Sequence, residues 1–253
     1  MLLCLALPAQ ADELRPLCPD RPGKGTSPCT VDAGHAQVEA GLADAAFQHR
    51  AGVTTDTFSA GAATFKYGVS DTVDLEAGFT FYQSLRTHDA ISDTTLDGVG
   101  DLTLRTKWNW LGDAGPWTAV IEPFVKLGTA TRGLGNGALE GGLVLPLSYD
   151  LGDGWSLAST PELDILLNDA GHGRHAALVD VVGIGKALGP VTLGGEVWTA
   201  QGFDPDGASS QYSFDLDAAW LLNASWQLDG GVNLGLNRNA PGAELYAGIS
   251  TRL

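Results

Sequence analysis

The chain predicts an all-β fold, a transmembrane antiparallel up-and-down β-barrel of about twelve strands with both termini periplasmic. Three observations predict it. Stretch after stretch alternates apolar with polar residues, most clearly VDLEAGFTF at 73–81. There Val73, Leu75, Ala77, Phe79 and Phe81 share one face and Asp74, Glu76, Gly78 and Thr80 the other, the period of a strand between an oily and a wet medium. No window approaches eighteen consecutive apolar residues, so a spanning helix is not expected. The connections run long, short, long, short, as they do in outer-membrane barrels.

Twelve strands follow in order. The first covers 35–47, with Val38, Ala40 and Leu42 on one face and Gln37 and Glu39 on the other. The second, 57–67, is rich in small residues and leaves its facing open. A tight turn near Ser70 leads to the third, 73–81, and a long polar loop, 83–100, follows. The fourth, 101–110, points Leu102, Leu104, Trp108 and Trp110 outward and Thr103, Arg105, Lys107 and Asn109 inward. The fifth, 117–127, exposes Ala119, Ile121, Val125 and Leu127 and turns Glu122 and Lys126 inward. The remainder are 139–149, 155–167, 176–188, 191–200, 212–220, 226–236 and 243–253, of which the eighth, 176–188, alternates worst. Turns near Ser70, Asp113, Asp153, Gly189 and Asn223 are tight, and those at the other end are longer and polar.

Trp108, Trp110, Trp117, Trp155, Trp220 and Trp226 all lie beside tight turns. Trp favours the membrane–water boundary, where its ring is half buried and its N–H stays wet. These six are expected to form a membrane-interface girdle. A soluble core would place them mid-strand.

Composition narrows the function classes. The chain has 253 residues and a formal charge of -16, from 14 Lys+Arg against 30 Asp+Glu. Phosphate backbones need basic partners, so a nucleic-acid partner is not expected. Residues 1–11, MLLCLALPAQA, read as a secretory signal peptide, truncated at its start, with cleavage after Ala11. Residues 12–34 form an N-terminal segment and 35–253 the transmembrane barrel. Cys4 leaves with the signal, and Cys18 and Cys29 are expected to pair as a disulfide in an oxidising compartment. Arg15, Arg21 and Lys24 make the segment basic. It either folds into the barrel as a plug or hangs as a periplasmic tail, and the tail is the preferred expectation.

At this point the residues show a family resemblance. CPDRPGKGTSPCTVDAGHAQVEAGL, FKYGVSDTVDLEAGF, DGVGDLTLRTKW and LGLNRNAPGAELYAGISTRL resemble the bacterial outer-membrane β-barrel "transporter" family of the MetA pathway of phenol degradation. The similarity runs from about Cys18 to the last residue, and Gly-x-Gly-Asp at 98–101 is its most distinctive internal piece. It implies a bacterial outer-membrane location and an association with uptake of aromatic or other hydrophobic compounds. The closing Leu253 departs from the Phe usual in such barrels.

The inward carboxylates are expected at Glu39, Asp74, Glu76, Asp101, Glu122, Glu140, Glu162, Asp164, Glu196, Asp215, Asp217, Asp229 and Glu244. Arg105, Lys107, Lys126 and Arg252 oppose them, with Arg105 and Lys107 able to face Asp74, Glu76 and Glu122 across the ladder. These charges either lock the interior as satisfied pairs or line a conduit whose excess acid attracts cations. The residues expected to line the pore are Asp74, Glu76, Arg105, Lys107, Glu122, Lys126, Glu140, Glu162, Asp164, Glu196, Asp215 and Asp217.

The chain therefore reads as a passive outer-membrane channel, without cofactor, whose partners are outer-membrane lipids, the barrel-assembly machinery and a small molecule the sequence does not name. Two alternatives stay open: a lipid-modifying barrel enzyme of phospholipase type and a soluble lipocalin-like barrel. The first needs a Ser beside a His on the outer face. His35, His49, His88, His172 and His175 lie mostly in or beside long loops, and no Gly-x-Ser-x-Gly elbow is present. His172 and His175 could share a metal, but a solvated loop is the plainer reading. Asp89, Asp93, Asp97 and Asp101 lack calcium-loop spacing, so no metal site is assigned.

Overall fold

A computed structural model describes residues 14–112 and 114–253. The segment 1–11, expected to be a leader, and the turn residue Asp113 lie outside the described residues. The strands are β1 (Ala36–Arg50), β2 (Val53–Ser70), β3 (Val73–His88), β4 (Asp93–Gly98), β5 (Leu102–Asn109), β6 (Trp117–Leu127), β7 (Glu140–Val144), β8 (Leu147–Gly152), β9 (Trp155–Ser159), β10 (Glu162–Leu167), β11 (Arg174–Leu188), β12 (Val191–Gly202), β13 (Ser209–Asn223), β14 (Trp226–Gly235) and β15 (Ala243–Arg252). They form one 15-stranded antiparallel sheet. It closes on itself because β1 pairs β15, with Gln37 opposite Arg252. β4 with β5, β7 with β8, and β9 with β10 each make a single stave, so the ring has twelve.

Two staves expected to be continuous are broken, and proline is the reason. β7 gives way to β8 at Leu145-Pro146, and β9 to β10 at Thr160-Pro161. The neighbouring β6 carries Pro123, opposite Leu143. Proline has no N–H to give a ladder, and the β5–β6 register skips from Arg105↔Phe124 to Trp108↔Ile121.

The loop end differs from expectation in one respect. The chain between the first two strands is no long loop: β1 and β2 run on to Arg50 and Val53 and turn at Ala51-Gly52, both at positive φ. Most of 83–100 is likewise strand, because β3 continues to His88 and pairs with β4. The Thr-rich runs there are polar yet β-branched, so they keep strand form where no oily face is required.

These long hairpins contain a shift in facing. Leu42, Gly61 and Phe81 lie opposite one another on β1, β2 and β3, and each is left out of its ladder. A bulge inserts one residue and reverses the alternation beyond it. Below the row Phe65 and Leu75 are exposed; above it Phe58 and Tyr82 are, two rings 6.3 Å apart. This reversal is why the second strand's facing could not be read from its sequence.

The barrel is apolar outside and charged inside. Leu75, Leu104, Val182, Leu193 and Leu245 are exposed, whereas Asp74, Lys107, Glu122 and Asp215 are 0% exposed. The lipocalin-like alternative requires the opposite facing and is excluded. Part of the interior is apolar: Val120, Val144 and Val181 are buried. Val181 has outward Val182 and Ile184 beside it, so β11 is apolar on both faces and alternates poorly. Ala119 keeps its outward parity but is buried, its methyl too short to rise past the larger side chains of its row.

Candidate functional site

The described part of the N-terminal segment, 14–34, sits inside the barrel, which corrects the expected periplasmic tail. Its basic side chains find lumen carboxylates from several staves, and those contacts outweigh the freedom of a loose tail. Cys18 and Cys29 are joined by a disulfide, closing the loop that carries Asp20, Arg21 and Lys24.

Three groups of contacts hold the segment. At the tight-turn end, Arg15 Nε donates to Asp32 at 2.6 Å, and Arg252 bonds the other oxygen of Asp32 at 3.1 Å. Val31 N–H donates to Asp74 at 2.9 Å. In the second group, Asp20 accepts from Lys107 at 2.8 Å and also meets Lys66. Lys66 meets Glu39 at 2.5 Å, Lys107 reaches Glu76 at 3.4 Å and Glu122 at 3.8 Å, and Arg105 reaches Glu122 at 3.0 Å. The ladder sets this up, with Asp74 opposite Lys107 and Glu76 opposite both Arg105 and Lys66. Burial alone would raise the Asp20 carboxyl, but Lys107 and Lys66 outweigh it and hold the group well below the usual carboxylate range.

The third group lies across the lumen. Arg21 bonds Asp229 at 3.0 Å and stands 5.7 Å over the ring of Tyr246. Gly248 makes room for it, since a Cβ there would fall 2.3 Å from Arg21 Nε. Lys24 Nζ bonds Glu244 at 2.8 Å and stands 5.2 Å over Trp198, while its backbone N–H donates to Glu196 at 2.9 Å.

The structure therefore gathers Asp74, Glu76, Arg105, Lys107 and Glu122 into one cluster. Lys126 stands apart toward the loops, bonding Asp101 at 3.2 Å and Glu140 at 2.8 Å. Glu162 and Asp164 are neighbours on the inward face of β10, and Glu196, Asp215 and Asp217 line β12 and β13. A cavity of about 290 Å³ remains between Asp44, Thr57, Ser59, Thr80, Gln83 and Glu244. Trp108, Trp110, Trp117, Trp155, Trp220 and Trp226 are all exposed.

Sequence reasoning missed Lys66, Asp20, Trp198 and Tyr246. Lys66 lies between exposed Phe65 and Tyr67, an alternation that could have marked it as inward. Trp198 is two residues from Glu196 and far from any tight turn, the signal that separates it from the other six. Nothing in the sequence marks Asp20, because its partners come from other staves.

Among the described residues no group of three or more His, Cys, Asp and Glu is arranged to hold a metal. His49 meets Thr54 at 2.9 Å, and His175 meets Asp204 at 3.3 Å and Asn168 at 3.1 Å, all near the loop end.

A family model described as "Putative MetA-pathway of phenol degradation" matches residues 19–253. The chain belongs to this family. Among solved structures it is similar to an outer membrane channel from Pseudomonas putida F1, with 15% identity and a TM-score of 0.70 over 92% of this chain and 99% of that one. It is similar also to the NanC porin, at 10% identity and a TM-score of 0.54 over 86% and 100%. The translocator domain of the autotransporter NalP from Neisseria meningitidis gives 10% and 0.54 over 88% and 90%. At such identities the likeness is one of fold, the outer-membrane β-barrel. No curated protein matches the chain.

Proposed function

We propose that the protein is a passive outer-membrane channel for small molecules whose acidic lumen is narrowed by its own N-terminal segment. One observation carries this reading: the barrel is inside out, with apolar side chains around the exterior and Asp74, Glu76, Lys107, Glu122 and Asp215 buried within. A lipid surround makes the exterior favourable, and the surplus of carboxylates favours cations over anions. On this reading Asp74, Glu76, Arg105, Lys107, Glu122 and Glu162 line the passage. The exposed Trp residues sit at one membrane boundary, and both termini are periplasmic. The leader at 1–11 directs export and the assembly machinery inserts the strands. The family description points to aromatic or other hydrophobic compounds as cargo, and a porin and a channel among similar folds support passage over catalysis.

Reconstitution into planar bilayers tests the reading. Discrete conductance steps with a reversal potential on the cation-selective side are expected in a salt gradient. Absence of steps from both the full chain and a variant lacking residues 12–30 would overturn it.

A further inference from the structure

The wall that receives Lys24 is built as a seat for an ammonium group. Glu196, Asp215, Asn233 and Glu244 lie directly opposite one another on β12, β13, β14 and β15 and form one row of oxygen acceptors. Trp198, two residues past Glu196, offers its ring face to Lys24 at 5.2 Å. An ammonium over an indole face and against a carboxylate is the arrangement by which proteins select organic cations.

The seat holds more acceptor capacity than Lys24 uses. Lys24 Nζ makes one ion pair, to Glu244 at 2.8 Å. Asp215 is 0% exposed and lies within electrostatic reach of Lys24 and Glu244, yet it has no ion-pair partner among the described residues. The hydroxyl of Ser213 is its polar neighbour, but neither Asp215 oxygen receives a well-formed hydrogen bond, nor does Asn233 Oδ1. Buried acceptors left without donors are costly, and a ligand cation with several N–H donors would satisfy them.

We propose that this row is a binding site for small organic ammonium ions, preferably with an aromatic or apolar body, and that Lys24 occupies it as a tethered surrogate ligand. The proposal deepens the channel reading and rests on it for the ligand's route into the lumen. A tethered group competes at an effective concentration in roughly the millimolar range. An external amine thus displaces Lys24 only when abundant, and removing Lys24 uncovers the full affinity of the seat.

Isothermal titration of the detergent-solubilised full chain tests this, with benzylammonium chloride as probe and benzyl alcohol as its neutral counterpart. Lys24→Ala should bind benzylammonium about tenfold more tightly than the native chain and should not bind the alcohol. Adding Trp198→Leu should return binding to about the native level, whereas Trp198→Phe, which keeps an aromatic face, should hold it within about threefold of Lys24→Ala. Equal binding of alcohol and ammonium, or no gain on removing Lys24, would overturn the proposal. Calorimetry needs no ion flow, so amine binding without conductance defeats the channel reading alone. Conductance without a preference for the amine defeats the seat alone.

Discussion

Lys107 of the barrel wall and Asp20 of the N-terminal segment meet at 2.8 Å, with the lysine 0% exposed and closed in by Glu76 and Glu122. The contact ties a stretch without regular structure to the wall through a buried charge pair. Removing one partner of such a pair costs about 3–5 kcal/mol, mostly by leaving the other charge uncompensated. Here Glu39, Glu76 and Glu122 stand close enough to keep Lys66 and Lys107 partly neutralised, so the lower figure applies. Asp20→Asn should therefore leave the barrel folded and loosen the segment, at least doubling mean single-channel conductance; an unchanged trace would show that Asp20 does not hold it.

The same carboxyl sets a pH window. Lys107 and Lys66, overcoming burial, hold Asp20 well below the ordinary carboxylate range. A group depressed in the folded state contributes stability above its unfolded value, about 3.9 for Asp, and loses that contribution as pH falls through the folded value. The anchor should persist on acidification to about pH 4 and fail only below it. Conductance followed against pH checks this, and an abrupt rise near pH 6 would assign control to another group.

Arg105 bonds Glu122 at 3.0 Å and stands 5.5 Å over the ring of Phe124. Arg105→Ala removes one of the few lumen cations and leaves Glu122 with Lys107 alone. The reversal potential in a salt gradient should move further toward cation selectivity. No movement would place Arg105 off the ion path.

The disulfide closes a short loop, with 11 residues of sequence separation between Cys18 and Cys29. Loops of this size lose roughly 3 kcal/mol of constraint when opened. The double variant Cys18→Ser, Cys29→Ser should give noisier and larger conductance. Dithiothreitol should produce the same change in the native protein and none in the variant; a response in the variant would point to another cause.

Brominated lipids locate the Trp residues. Bromine near the headgroups should quench Trp108, Trp117, Trp155, Trp220 and Trp226 strongly, since all are exposed beside tight turns. Trp198 faces the lumen over Lys24, so Trp198→Phe should remove unquenched emission and leave the quenched intensity nearly unchanged. A large loss of quenching in that variant would contradict the lumen placement.

Most of the barrel was legible because a membrane imposes period-two facing on every stave, and residues such as Leu75, Leu104 and Glu122 obey it. The pairing of Asp74 and Glu76 with Lys107 and Arg105 followed from strand adjacency alone. Illegible parts depend on contacts remote in the chain. Arg21 and Asp229 are 208 residues apart, and no local pattern announces their meeting, so the segment's place inside the barrel stayed hidden. The breaks at Pro146 and Pro161 and the row through Leu42, Gly61 and Phe81 were missed because alternation on either side reads as ordinary strand.

That row gives three neighbouring ribbons a common dislocation. Because Leu42, Gly61 and Phe81 face one another, the added lengths match, and pairing resumes in step on the far side. Deleting Gly61 or Phe81 alone would throw its ribbon out of phase with both neighbours and turn Phe58 or Tyr82 toward the water inside, whereas deleting Leu42 alone would remove the bulge against β15 and break step with β2. Deleting all three together preserves the pairing among these ribbons, so this stretch can gain or shed length only by coordinated change.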